Sequence, residues 1–120
     1  MSIDFIRTAC SKFSLTTEDV KWENNLCFSV VKKLYCITDL EGPFKASFKC
    51  DEEDFVSLTE RDNIIPAPYL AKNKWVSVQK SSALSKKEWE FFLRKSYELI
   101  ASKLPKKTRE QLDFTILNLK

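Results

Sequence analysis

The chain has 120 residues, 43% hydrophobic and 31% charged, with a formal net charge of +3. This is the size of one domain, with 15 aromatic residues to fill a core without disulfide or metal staples. It contains no His and one Gly, Gly42, which removes the commonest neutral-pH acid–base group, the Ser-His and Cys-His nucleophile pairs, and glycine-rich phosphate loops.

Ser2 is placed to cap a first helix over about 3–13, with Ile6, Ala9, Cys10 and Phe13 at helical spacing. Residues 14–18 read as a polar loop leading to Val20, Lys21 and Trp22. Leu26–Val31, Leu34–Leu40 and Phe44–Cys50 follow as strand candidates rich in Val, Phe, Tyr, Ile and Cys. Their short links join only antiparallel neighbours, so the segment is a meander of hairpins. In the third strand Phe44, Ala46, Phe48 and Cys50 share one side, and Lys45, Ser47 and Lys49 the other.

Asp51 is placed to cap a short helix with Glu52, Glu53 and Asp54 in its first turn and Phe55 and Leu58 facing inward. Arg61–Pro68, with Pro66 and Pro68, reads as an extended connector. Tyr69–Ala71 and Lys74–Lys80 read as two further strands around a Lys72-Asn73 turn. Ser85 and Glu88 form a capping box for the last helix, whose stripe of Trp89, Phe92, Leu93, Ser96, Tyr97, Ile100 and Leu104 runs to Pro105. A helical turn from Lys106 is compatible with the tail, and Phe114–Lys120 carries no clear pattern. The expected architecture is one α+β domain over 1–120 in the order α-β-β-β-α-β-β-α. It is two-layered: a five-stranded antiparallel sheet with helices packed on one face.

No apolar run approaches the roughly 20 residues of a membrane helix, and Met-Ser-Ile-Asp-Phe lacks the order of a signal peptide, so the expected compartment is the cytoplasm. Cys10, Cys27, Cys36 and Cys50 are 17, 9 and 14 residues apart, a spacing without any C-x-x-C pair. They are expected to be reduced, buried and metal-free, and no cofactor is expected. The Asp51–Asp54 cluster is accounted for by helix capping rather than by a cation.

Charge is unevenly spread. Residues 1–69 carry 8 basic and 12 acidic side chains, whereas residues 70–110 carry 11 basic and 4 acidic. Lys72, Lys74 and Lys80 flank Tyr69 and Trp75, which combines cations for phosphates with rings able to stack on bases. Two readings stand: these residues are a nucleic-acid contact, or the rings are core and the lysines a solvated rim. Arg94, Lys95, Lys103, Lys106 and Lys107 fit the solvent face of the last helix. Ser96 and Tyr97 fit structural roles, Ser96 permitting close helix-to-sheet packing and Tyr97 sending its hydroxyl to a partner at the core edge.

One block resembles the MmcQ/YjbR family of small bacterial proteins: Ile65-Pro66-Ala67-Pro68-Tyr69, then Lys72-Asn73-Lys74-Trp75-Val76-Ser77-Val78, then Leu93–Ile100 around Lys95-Ser96-Tyr97-Glu98-Leu99. The resemblance covers about residues 2–105. It departs from the family at Asn63, where a Gly is usual, and at Lys32-Lys33, a turn lacking Gly or Asn. The resemblance implies a fold similar to secretion chaperones and frataxin-like proteins, DNA binding through wing-like hairpins, and no catalytic activity. The expectation is therefore a non-enzymatic module for DNA with Tyr69, Lys72, Lys74, Trp75 and Lys80 at the contact. The alternative is a protein-interaction or chaperone-like domain using the open sheet face around Lys45, Ser47 and Lys49, in a homodimer or with another protein.

Overall fold

The computed structural model describes residues 3–111. Its elements are α1 (Asp4–Ser11), β1 (Thr16–Lys21), β2 (Asn25–Val30), β3 (Lys33–Asp39), β4 (Ala46–Lys49), α2 (Glu52–Thr59), β5 (Ile64–Pro66), β6 (Trp75–Val78), α3 (Lys86–Ala101) and α4 (Lys106–Arg109). Single 3₁₀ turns occupy Ala71–Asn73 and Ser81–Ala83. The Ser2 cap and the Phe114–Lys120 stretch lie outside the described residues.

The sheet has six antiparallel strands in the order β1-β2-β3-β4-β6-β5, one more than expected. The additional strand is β1, which overlaps the loop expected over residues 14–18. Its residues are almost all exposed, so no apolar alternation marks it, and it is held by its register against β2, from Thr16↔Val30 to Lys21↔Asn25. The strand expected at Tyr69–Ala71 does not form. Tyr69 takes a left-handed φ of 67°, and the partner of β6 is instead Ile64–Pro66, inside the expected connector. Pro66 is tolerated because β5 is an edge strand, where a missing N–H costs no ladder bond on the open side.

The meander turns one residue earlier than the sequence suggested. Val30 pairs with Lys33, so Val31 and Lys32 form the turn, with φ of 47° and 66°, and a bulge at Phe28/Ser29 absorbs the change of register. Asn63 also adopts positive φ, 67°, which Asn accommodates better than most residues in place of Gly.

The helices cover one face. Ile6 and Cys10 of α1, Leu58 of α2 and Leu93, Tyr97 and Ala101 of α3 join Phe28, Val30, Phe48, Val76 and Val78 of the sheet in one core cluster. Phe5, Phe44, Phe48 and Phe92 gather around or beside Trp89 in edge and stacked contacts. Asp51 accepts the Asp54 N–H at 2.8 Å, and Ser85 and Glu88 form the expected reciprocal capping box. Among the described residues no helix is long and apolar enough to cross a membrane.

Candidate nucleic-acid interface

Antiparallel order places the start of β1, the end of β2, the start of β3, the end of β4, the start of β6 and the end of β5 at one end of the sheet. Lysines from separate parts of the chain meet there. Lys32 and Lys33 come from the β2–β3 turn, Lys49 from the end of β4, Lys72 and Lys74 from the 3₁₀ turn before β6, and Lys103 from the residues after α3. Lys33 and Lys103 line one shallow groove together with Leu34, Ile100 and Leu104.

Lys49 is the centre of this group. Its ammonium titrates below the usual lysine range, first because it is partly buried, then because Lys103 and Lys74 repel its charge, while Cys50 opposes the shift. Its Nζ donates to the Asn73 carbonyl at 2.5 Å, which ties β4 to the 3₁₀ turn. Lys74 lies over the Phe55 ring, 5.1 Å from its centroid, and holds a left-handed φ of 63°. Concentrating cations in this way has a Coulomb cost that an arriving polyanion relieves.

The expected site residues separate. Tyr69, at the rim of this end, is fully exposed, and Lys72 is exposed beside it. Trp75 is 5% exposed. It stands on the face opposite Val76 and Val78, where the chain folds back on it: Ala67 N–H donates to the Trp75 carbonyl at 3.0 Å and Trp75 N–H to the Leu70 carbonyl at 3.3 Å. Its ring is therefore not available to stack on a base. Lys80 lies beyond the far end of β6 and does not join the group, since the extended chain from Lys74 to Lys80 spans about 20 Å.

Other cations are committed within the fold. Lys95 bridges Asp51 at 2.7 Å and Asp54 at 3.1 Å, tying α3 to the start of α2. Arg61 is paired with Glu88 at 2.6 Å and Arg7 with Glu18 at 2.7 Å. Among the described residues no group of three or more His, Cys, Asp or Glu side chains is arranged to hold a metal ion, and the Asp51–Asp54 carboxylates serve the helix cap and Lys95.

Ser96 and Tyr97 have the structural roles expected of them. Ser96 Oγ accepts the Lys49 N–H at 3.0 Å and donates to the Tyr35 carbonyl at 2.6 Å, so one hydroxyl clamps α3 onto both β3 and β4. Tyr97 Oη donates to the Ser14 carbonyl at 2.7 Å. By setting the height of α3 over the sheet, these bonds also set where Lys103 emerges.

The family model for YjbR matches residues 11–99. The chain belongs to the YjbR family. Its YjbR fold is shared with a crystal structure of the Deinococcus radiodurans protein DR2400, described as a DUF419 domain, at 27% identity and a TM-score of 0.82 over 92% of this chain and 86% of that one. A Pseudomonas syringae protein of known structure has the same fold at 22% identity and a TM-score of 0.65, covering 82% of this chain and 94% of its own. No curated protein matches the chain.

Proposed function

We propose that this YjbR-family protein is a non-enzymatic, cytoplasmic module that binds DNA on the basic end of its sheet. The supporting observation is the gathering of Lys49, Lys74 and Lys103 at one end of the sheet, where burial first and the two neighbouring cations second depress the Lys49 ammonium, beside the exposed Lys32, Lys33 and Lys72 and the exposed Tyr69 ring. The lysines contact phosphates and Tyr69 stacks on an unpaired base. This reading keeps Lys72, Lys74 and Tyr69 from the sequence-based site and adds Lys49 and Lys103. It assigns no contact to Trp75 or Lys80.

The rival use of the sheet face away from the helices draws less support. Lys45 there is paired with Asp39 at 3.8 Å, and Cys27, Ser77 and Trp75 on that face are themselves buried.

The test is a titration with fluorescent single-stranded and duplex oligonucleotides at two salt concentrations. Lys72→Glu with Lys103→Glu should weaken binding and reduce the salt slope by about 1.4 to 1.8, the loss of two phosphate contacts. Lys86→Glu with Lys87→Glu, at the other end of α3, should leave the slope unchanged. Absence of binding at micromolar protein in low salt, or equal effects of the two pairs, overturns the reading.

A further inference from the structure

The two edges of the sheet are built differently. β5 is three residues long and carries Pro66, which blunts it against further pairing. β1 is six residues long, contains neither Pro nor Gly, and among the described residues pairs only with β2. Exposed large apolar side chains cluster along it: Leu15 just before it at 49%, Val20 within it at 55%, and Trp22 just after it at 69%. Such an edge ordinarily attracts another strand.

The charges on β1 select which strand. Register against β2 places Thr17, Asp19 and Lys21 opposite Ser29, Cys27 and Asn25 on the face away from the helices, and Thr16, Glu18 and Val20 opposite Val30, Phe28 and Leu26 on the core face. If a second copy pairs antiparallel about a two-fold axis normal to the sheet, facing residues must come from the same face. Centring on Asp19 sets that carboxylate against itself, and centring on Lys21 does the same to the ammonium. Centring on Val20 sets Val20 against Val20 and each Asp19 against the other copy's Lys21. Opposite charges directly across a ladder are favourable and like charges unfavourable, so the edge is complementary to itself in this register and repelled in its neighbours.

We propose that the protein self-associates through β1, two copies joining their sheets antiparallel with Val20 on the two-fold axis and paired Asp19–Lys21 contacts on either side. The edge is short compared with standard protein interfaces, so the dimer is weak and concentration-dependent. This interaction is independent of the proposed DNA contact, because that contact uses the strand ends rather than the edge.

Sedimentation of the full chain from about 1 µM to about 1 mM should show mass rising toward twice the monomer, a range that brackets weak association. Asp19→Lys should weaken association by about tenfold or more, and adding Lys21→Asp should restore it, since the swapped pair is again complementary. The amides of β1 that point away from β2 should exchange more slowly as concentration rises. Restoration by the double variant separates charge pairing from damage to the fold. A monomer at the highest concentration, or a dimer indifferent to the reversal, overturns the proposal. So does a monomer whose outward-pointing β1 amides are protected at every concentration.

Discussion

Arg61 grips Glu88 with two hydrogen bonds, Nη2 to Oε2 at 2.6 Å and Nη1 to Oε1 at 3.2 Å, while the same carboxylate accepts the Ser85 N–H at 3.0 Å. One side chain thus caps α3 and anchors the segment between α2 and β5. The Arg61 hydrogen bond, followed by that of Ser85, holds the Glu88 carboxyl down to about 2, from about 4.3 in an unfolded chain. Because the folded value is the lower one, this stability is fully present above the unfolded pKa and is lost as pH falls through 4 toward 2. Lys95 depresses Asp51 in the same sense. Both partners of the Arg61–Glu88 pair are about a third exposed or more, so solvent screening limits it to about 1 kcal/mol. Urea midpoints of Glu88→Gln should fall slightly at pH 7 and approach wild type at pH 3. A constant difference between the two pH values would remove Arg61 as the cause.

Trp75 and Tyr69 should divide stability from binding. With its ring 5% exposed, Trp75→Ala should lower stability by about 3 to 5 kcal/mol. The fully exposed Tyr69 should tolerate Ala within about 0.5 kcal/mol but lose about 1 to 3 kcal/mol of single-strand affinity as a stacking contact. Denaturant midpoints beside oligonucleotide titrations decide the matter. Unchanged affinity in Tyr69→Ala removes the stacking platform from the proposed interface.

The thiols should be silent until the fold opens. Cys10, Cys27, Cys36 and Cys50 are free and buried. Burial, then the Asp54 and Asp51 charges, push Cys50 up to about 12, and a hydrogen bond with Cys10 followed by burial raises Cys36 well above the ordinary range. The thiolate is the reactive form, so alkylation at pH 8 should be slow in native protein and reach four groups per chain in denaturant. Fast native labelling at any one would contradict its burial.

The β2–β3 turn should be improvable. Val31 and Lys32 both occupy positive φ, and a β-branched residue there is strained. Val31→Asn with Lys32→Gly, residues suited to this turn, should raise stability by about 1 kcal/mol, read from the denaturant midpoint. No gain would mean that the bulge at Phe28/Ser29 already relieves the turn.

What the sequence disclosed follows from which forces leave a periodic mark. The capping box at Ser85, the apolar stripe of α3 and the alternation of β4 were legible because burial repeats with the period of the element. β1 was illegible because its ladder is made of main-chain bonds and its side chains face water. Pro66 and Pro68 concealed β5, since proline argues against a strand except at an edge, and edges are decided by the rest of the sheet. The burial of Trp75 on the side away from the core cluster left no sign, since the return of the chain beside it rests on backbone bonds. Lys49 and Lys74 came together only because β4 lies beside β6, a pairing across about 30 residues without local signature.

The clamp made by Ser96 bears on the order in which the chain can assemble. Its two partners, Lys49 and Tyr35, lie 47 and 61 residues earlier, on strands that must already be side by side for a single hydroxyl to reach both. During synthesis the meander therefore emerges well before the helix that seals it, and β4 also waits for β6 to cover its other side. Contacts of such long sequence separation make folding slow and late. The first four strands spend that interval with Phe28, Val30 and Phe48 uncovered, so their core face is sealed only once α3 has been made.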